Sequence, residues 1–382
     1  MTADLFFAVA LAVRLAPVSG NPTALSLCDL DGDGRLDVVV ALPAEGRWAF
    51  MLGNLGGGLT RPISAPAGKM PFAVVCGDVT GDGKPDVIVG DTGEERLDVW
   101  ENLGDGLLAG QGFRISEHVE LRAVSALASM KPRGDRAAVV VALAAEDRIE
   151  VLFSAGKGRL DRPFIHDKRN IRWCDRSTDL RSSCVETGES PEALAVGDFN
   201  GDGKPDLAVA NGLDATVGIF LNKGDGTFRD MVAYPVGKGP IWIAVGDFDG
   251  DGKPDLAVAD FYGEDERGRL SLLRGKGDGT FEPELKLAAG PAPVAVVSAD
   301  FDGDGRPDLA VAENGGGVGK TVTVLRGLGG MKFAAPVEVE VPQSPNALAV
   351  GDMDGNGKPD LVVATTQGLV ILHNLGAKGF ER

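Results

Sequence analysis

The chain has 382 residues, a net charge of −18, and only three histidines and two tyrosines. An acidic balance of this size excludes a nucleic-acid binder, which presents a basic face. No apolar run reaches the ~20 residues that a bilayer-spanning helix needs, so no membrane span is expected.

The first apolar stretch, LFFAVALAVRLAPVSG (5–20), has no basic leader; Asp4 precedes it and Arg14 interrupts it. It reads as a β-strand rather than a secretory signal. Beyond it, one acidic phrase recurs six times, starting at Asp29, Asp78, Asp198, Asp247, Asp300 and Asp352. The copy at 246–259, GDFDGDGKPDLAVA, shows the pattern. With Asp247 as position 1, carboxylates fall at positions 3, 5 and 9, and a backbone carbonyl is available at position 7. Such an oxygen set suits Ca²⁺, which takes six to eight hard oxygen ligands.

Loop one offers Asp29, Asp31, Asp33, the carbonyl of Arg35 and Asp37. Loop two offers Asp78, Thr80, Asp82, Lys84 and Asp86, and the loop of the fourth repeat Asp198, Asn200, Asp202, Lys204 and Asp206. The fifth repeat supplies Asp247, Asp249, Asp251, Lys253 and Asp255; the sixth Asp300, Asp302, Asp304, Arg306 and Asp308. The seventh supplies Asp352, Asp354, Asn356, Lys358 and Asp360. An EF-hand would need Glu at position 12, where all six copies have valine: Val40, Val89, Val209, Val258, Val311 and Val363. The residues that follow are short and β-branched, so each loop is expected to join two strands. Six filled calcium sites would bring the net charge to about −6.

The starts are 49, 120, 49, 53 and 52 residues apart. The long gap hides one more unit: AVVVALAAEDRIEVLFSAGKGRL (138–160) matches the part after each loop, while MKPRGDRAA (130–138) stands where the ligands should be. Arg133-Gly134-Asp135 within it is read as a chance tripeptide. A period near fifty with several short strands is that of a β-propeller. In the fourth repeat the expected strands are 193–199, 205–211, 216–222 and 231–236, with a glycine-bearing hairpin, KGDGTF, at 223–228. The last repeat ends at LGAKGF (375–380) without a fourth strand, which the N-terminal segment is expected to provide. The predicted fold is all-β: a seven-bladed β-propeller of four-stranded antiparallel blades, one domain over 1–382, its ring closed by the N-terminal strand.

An insertion at about 161–192 is read as a four-to-one connection between blades. It carries Arg169, Arg172, Trp173, Arg176 and Arg181, with Cys174 and Cys184 expected to form a local disulfide. Cys28 and Cys76 are expected to be buried small side chains rather than a bridge.

The segments DFNGDGKPDLAVAN, DFDGDGKPDLAVAD and DFDGDGRPDLAVAE, each with GDGTF or its remnant downstream, resemble FG-GAP/VCBS-type repeats of integrin-alpha-like propellers. The family's Phe-Gly and Gly-Ala-Pro motifs are not clear, which places the chain nearer the VCBS-like branch. The resemblance implies calcium between strands one and two, an extracellular or cell-envelope setting, and adhesion or ligand binding. It supplies no ligand.

Candidate chemistry is thin. No Gly-x-Ser-x-Gly elbow occurs, and no glycine-rich phosphate loop remains once the acidic loops are set aside. The expected function is a calcium-stabilised, monomeric, non-enzymatic module that binds a glycan or protein on the face opposite the calcium loops. There the insertion and FYGEDERGR (261–269) would lie. The alternative is a calcium-dependent polysaccharide lyase-like enzyme using His166 and Tyr262.

Overall fold

The computed structural model describes residues 15, 16, 18, 20–93, 96–109, 113, 114, 124–133, 136–156, 159–161, 184–262, 268–376, 380 and 381. Among them there is no α-helix; seven antiparallel sheets form seven blades. Blade four is typical: Pro191–Gly197, Asp206–Asn211, Thr216–Phe220 and Val232–Pro235, in simple meander order. The pairing register runs Leu194 to Val209, Val209 to Gly218 and Gly218 to Ala233.

Burial follows strand position. Strand two (Asp37–Leu42, Asp86–Asp91, Asp206–Asn211, Asp308–Glu313, Asp360–Thr365) is buried at every residue. Neighbouring blades cover both of its faces, so it reads as an unbroken apolar run rather than an alternating one. Strand four is mostly exposed in blades one, four and five. Strand one opens on proline in blades two, four, six and seven, each time with a register shift two residues in. Proline cannot donate to the ladder and is confined to such edges and bulges.

Seven apolar clusters lie between successive blades. Trp48, Phe50 and Trp100 join blades one and two; Phe199 and Phe281 join four and five; Val38, Val40, Ala347 and Val362 join seven and one. At one register of strand one, most blades have alanine (Ala73, Ala193, Ala295, Ala347), whereas blade five has Trp242. Trp242 packs against three clusters, those between blades five and six, six and seven, and seven and one. Its ring therefore reaches into the middle of the propeller.

Leu15–Ala16 pairs antiparallel with Gly368–Asn374, in the fourth-strand position of blade seven. Residues 5–14 of the expected strand lie outside the described residues.

Two sequence expectations are corrected. Cys28 and Cys76 form a disulfide, their Cα atoms 6.3 Å apart, between the inner strands of blades one and two. Inner strands converge toward the propeller axis, which brings together residues that sequence alignment sets one position out of phase. The insertion is not a four-to-one connection. Cys184–Glu186 pairs with the first half of Arg148–Gly156, and Arg159–Asp161 with its second half. Both segments thus take the fourth-strand position of blade three, so the insertion interrupts that strand rather than following it. Cys174, and with it the expected Cys174–Cys184 bridge, lies outside the described residues, as do His166, Trp173 and the arginines of the insertion.

Candidate metal centres in the hairpin loops

Each acidic loop is tied by its own carboxylates. Asp247 Oδ1 accepts from the amides of Gly250 (2.8 Å) and Asp251 (3.0 Å), and Oδ2 from Gly252 (2.8 Å). Asp249 and Asp251 each accept from an amide two residues on, at 2.9 and 3.0 Å. Gly250 and Gly252 both have φ near 83°, a conformation that disfavours side chains. Loops one, two, four, six and seven repeat the arrangement around Asp29, Asp78, Asp198, Asp300 and Asp352.

Position 9 has a second role that sequence reading missed. Asp255 is fully buried; its Oδ2 accepts from Phe248 N–H (2.8 Å) and its Oδ1 from Gly275 N–H (2.7 Å). One side chain thereby holds the loop, strand two and the exit of strand three together. Asp37, Asp86, Asp206, Asp308 and Asp360 do the same in their blades. Burial pushes the carboxyls of Asp37, Asp255 and Asp308 up to about 6. A carboxylate has about four lone-pair sites, so two amide bonds leave capacity for a cation.

The loops also carry their own counter-ions. The position-7 side chain was expected to offer only its carbonyl, but it pairs with the position-5 carboxylate: Lys204 with Asp202 (2.9 Å), Lys253 with Asp251 (3.0 Å), Arg306 with Asp304 (2.9 Å), and Arg35 with Asp33. Hydrogen bonds from Lys204, Lys253 and Arg306 hold Asp202, Asp251 and Asp304 below the usual carboxylate range. A further residue, at the end of strand three, overlies position 3. In blade five it is Arg274, bonded to Asp249 and 3.4 Å from Asp251. In blade six Arg326 stands 3.7 Å from Asp302, and in blade seven His373 stands 3.9 Å from Asp354.

Three loops gather carboxylate oxygens within 4.8 Å of one another: Asp29, Asp31 and Asp33; Asp247, Asp249 and Asp251; Asp300, Asp302 and Asp304. A fourth group of that size joins Asp354, Asp360 and His373. The all-oxygen sets fit a hard cation such as Ca²⁺.

Four stretches, 29–89, 198–258, 248–311 and 300–363, match the FG-GAP-like repeat and together cover more than half of the chain. The chain belongs to the FG-GAP-like repeat family. No curated protein matches it. Among solved structures, the fold is similar to crystal structures of BBS1N in complex with ARL6DN. The mercury-soaked form has a TM-score of 0.60 at 16% identity, covering 93% of this chain and 92% of that one. The lead-soaked form has the same score and identity and covers 93% of each chain.

The matched stretches of this FG-GAP-like propeller are those with acidic loops. Repeat three falls between them, and its strands show why it carries no site. Val124–Arg133 and Arg136–Leu143 stay paired to Arg133 opposite Arg136, so the hairpin turns within two residues. No room is left for a nine-residue ligand loop.

On the face that carries the acidic loops, neighbouring blades of the propeller are linked. Asn102 Nδ2 donates to Leu30 O (2.9 Å), Gly279 N–H to Phe199 O (2.9 Å), Met331 N–H to Phe248 O (3.2 Å) and Asn374 Nδ2 to Phe301 O (2.8 Å). Each acceptor is the position-2 carbonyl of one loop, and each donor comes from the next blade. The loops thus set blade-to-blade geometry as well as their own.

Proposed function

We propose that the protein is a calcium-stabilised extracellular binding module whose propeller presents a partner-binding face opposite the calcium loops. The observation that carries it is the set of convergent all-oxygen loops, repeated in register around the ring and bonded to neighbouring blades. Cations distributed in this way stiffen a scaffold; they do not converge on one reacting centre. The Cys28–Cys76 disulfide supports an oxidising setting, where such bridges persist.

A protein partner is the reading the exposed residues support. On the face opposite the loops, consecutive blades four, five and six present Leu213 (76% exposed) and Val318 (81%) in their two-to-three connections and Tyr262 (64%) at the end of strand two. Exposed apolar residues grouped on one face mark interaction surfaces. The structurally similar BBS1N was crystallised with a protein, ARL6DN.

The test is metal analysis and cross-linking on one preparation. After dialysis against calcium-containing buffer, the protein should retain several equivalents of calcium. Proximity labelling from a probe at position 213 should mark a partner, and labelling should fall when Tyr262→Ala and Val318→Asp are introduced. Absence of retained calcium would overturn the metal half of the reading. Labelling that persists in both variants would overturn the assigned face, and turnover of an acidic polysaccharide would replace the reading by a lyase.

A further inference from the structure

We propose that the loop of blade seven is a site for a borderline divalent transition ion, Zn²⁺ or Co²⁺, with His373 Nδ1, Asp354 Oδ2 and Asp360 Oδ2 as ligands. It rests on the reading of the hairpin loops as cation sites, and it assigns this one a different class of ion.

The donor set is the first reason. This loop alone among the described ones brings an imidazole to its carboxylates. Imidazole nitrogen suits zinc and its neighbours, whereas calcium takes oxygen ligands. At position 5, where the other loops have aspartate, stands Asn356, whose Nδ2 donates to Asp354 Oδ2 at 3.0 Å. One carboxylate that calcium would use is gone, and its replacement orients a ligand of the three-donor set.

Spacing is the second reason. His373 Nδ1 is 3.3 Å from Asp360 Oδ2 and 3.9 Å from Asp354 Oδ2, and the three donors lie within 4.8 Å of one another. Bonds of about 2.0–2.2 Å at a tetrahedral angle separate donors by ~3.4 Å. The two separations from the imidazole are of that size.

Support around the donors is the third. Asp360 is fully buried, with Met353 N–H on Oδ2 (2.9 Å) and Asn374 N–H on Oδ1 (2.7 Å). Asp354 Oδ1 accepts from Asn356 N–H at 3.0 Å. Fixed outer partners of this kind orient metal ligands and raise affinity. The imidazole itself is seated by blade one: a Cβ on Gly57 would collide with the His373 ring at Cε1, and Gly57 has φ +76°. The ring thus sits between a glycine and two carboxylates. At the same register blades five and six have Arg274 and Arg326, built-in cations that occupy the position-3 carboxylate; blade seven substitutes a group that can share a metal with it.

Metal-stripped full-length protein is titrated with Co²⁺ in millimolar Ca²⁺, which fills the all-oxygen loops, and visible absorption is followed. The expected result is one equivalent of Co²⁺ with a ligand-field spectrum, displaced by one equivalent of Zn²⁺. His373→Gln and His373→Arg should each weaken binding by at least tenfold, the arginine variant keeping a cation in the same seat as in blades five and six. Asp249→Asn in blade five should change nothing. Co²⁺ binding within twofold of wild type in both His373 variants, each melting as a folded protein, would overturn the proposal. So would full displacement of Co²⁺ by millimolar calcium. Calcium is counted separately by equilibrium dialysis: no calcium uptake with His373-dependent Co²⁺ binding would leave this proposal standing and overturn the calcium reading, and the reverse pattern would do the opposite.

Discussion

Position 3 of each loop faces a residue that decides how free the site is. Asp249 is bonded by Arg274, and Asp302 has Arg326 at 3.7 Å, whereas in loop one Leu52 stands at that register. Counting carboxylates ranks loops one, five and six together; the arginines put loop one ahead. Replacing Arg274 by Gln should tighten calcium at loop five by a few-fold, because an exposed ion pair that competes with the metal is removed. Site-resolved titration checks this, and unchanged affinity would contradict the competition. On the opposite face, Asp260 is buried beside Ser271 (2.6 Å), Arg269 (3.3 Å) and Glu284, and burial pushes its carboxyl up to about 7. A carboxyl raised above its unfolded value of about 3.9 stabilises the fold fully below that value, and the contribution is lost as pH rises through about 7. Asp260→Asn removes the titration. The fall in stability from pH 5 to pH 8 should be shallower in the variant than in wild type; equal slopes would contradict the assignment.

At the scale of the element, the hairpin between strands one and two is closed by a buried carboxylate as well as by its turn. Asp255→Ala would leave the amides of Phe248 and Gly275 buried without acceptors, at about 1–3 kcal/mol each. The variant should lose about 2–5 kcal/mol in urea unfolding with calcium chelated, which separates this role from metal binding. Cys28→Ser with Cys76→Ser should cost a further ~2–4 kcal/mol, and a non-reducing peptide map should show the two cysteines linked. These elements also show what could be read from residues alone. The loops, the strands flanking them and the missing loop of repeat three all follow from local spacing and β-branched runs, which act over a few residues. The position-9 carboxylate was visible as a ligand, but its bonds reach residues 7 upstream and up to 20 downstream, beyond any local pattern. Arg274, Arg326 and His373 share a column that alignment of the repeats exposes; their meaning appears only once strand three is laid beside the loop. The Cys28–Cys76 bridge and the seating of the insertion depend on how strands converge and pair, which spacing does not encode.

For the whole molecule, the propeller is a ring of apolar interfaces stitched on one face by bonds from the loops of blades one, four, five and six to the next blade. Without metal the loops are not loose: backbone amides and the position-7 cations already offset much of the repulsion among the carboxylates. On the proposed reading calcium adds to an ordered hairpin, and its expected gain is that of binding to the folded state, about 2.7 kcal/mol per site at a hundredfold excess over Kd. Because these loops also contact their neighbours, the gain should appear in the cooperative melt of the ring and not as local fraying. The direct measurement is a thermal melt of wild type and of Asp247→Ala with Asp249→Ala, each with calcium and with chelator. A structural role predicts a single transition that shifts upward with calcium in wild type and shifts less in the variant, with partner binding on the opposite face retained. A melting temperature unmoved by chelation, with partner binding lost, would show that the metals act in recognition itself and would contradict this account.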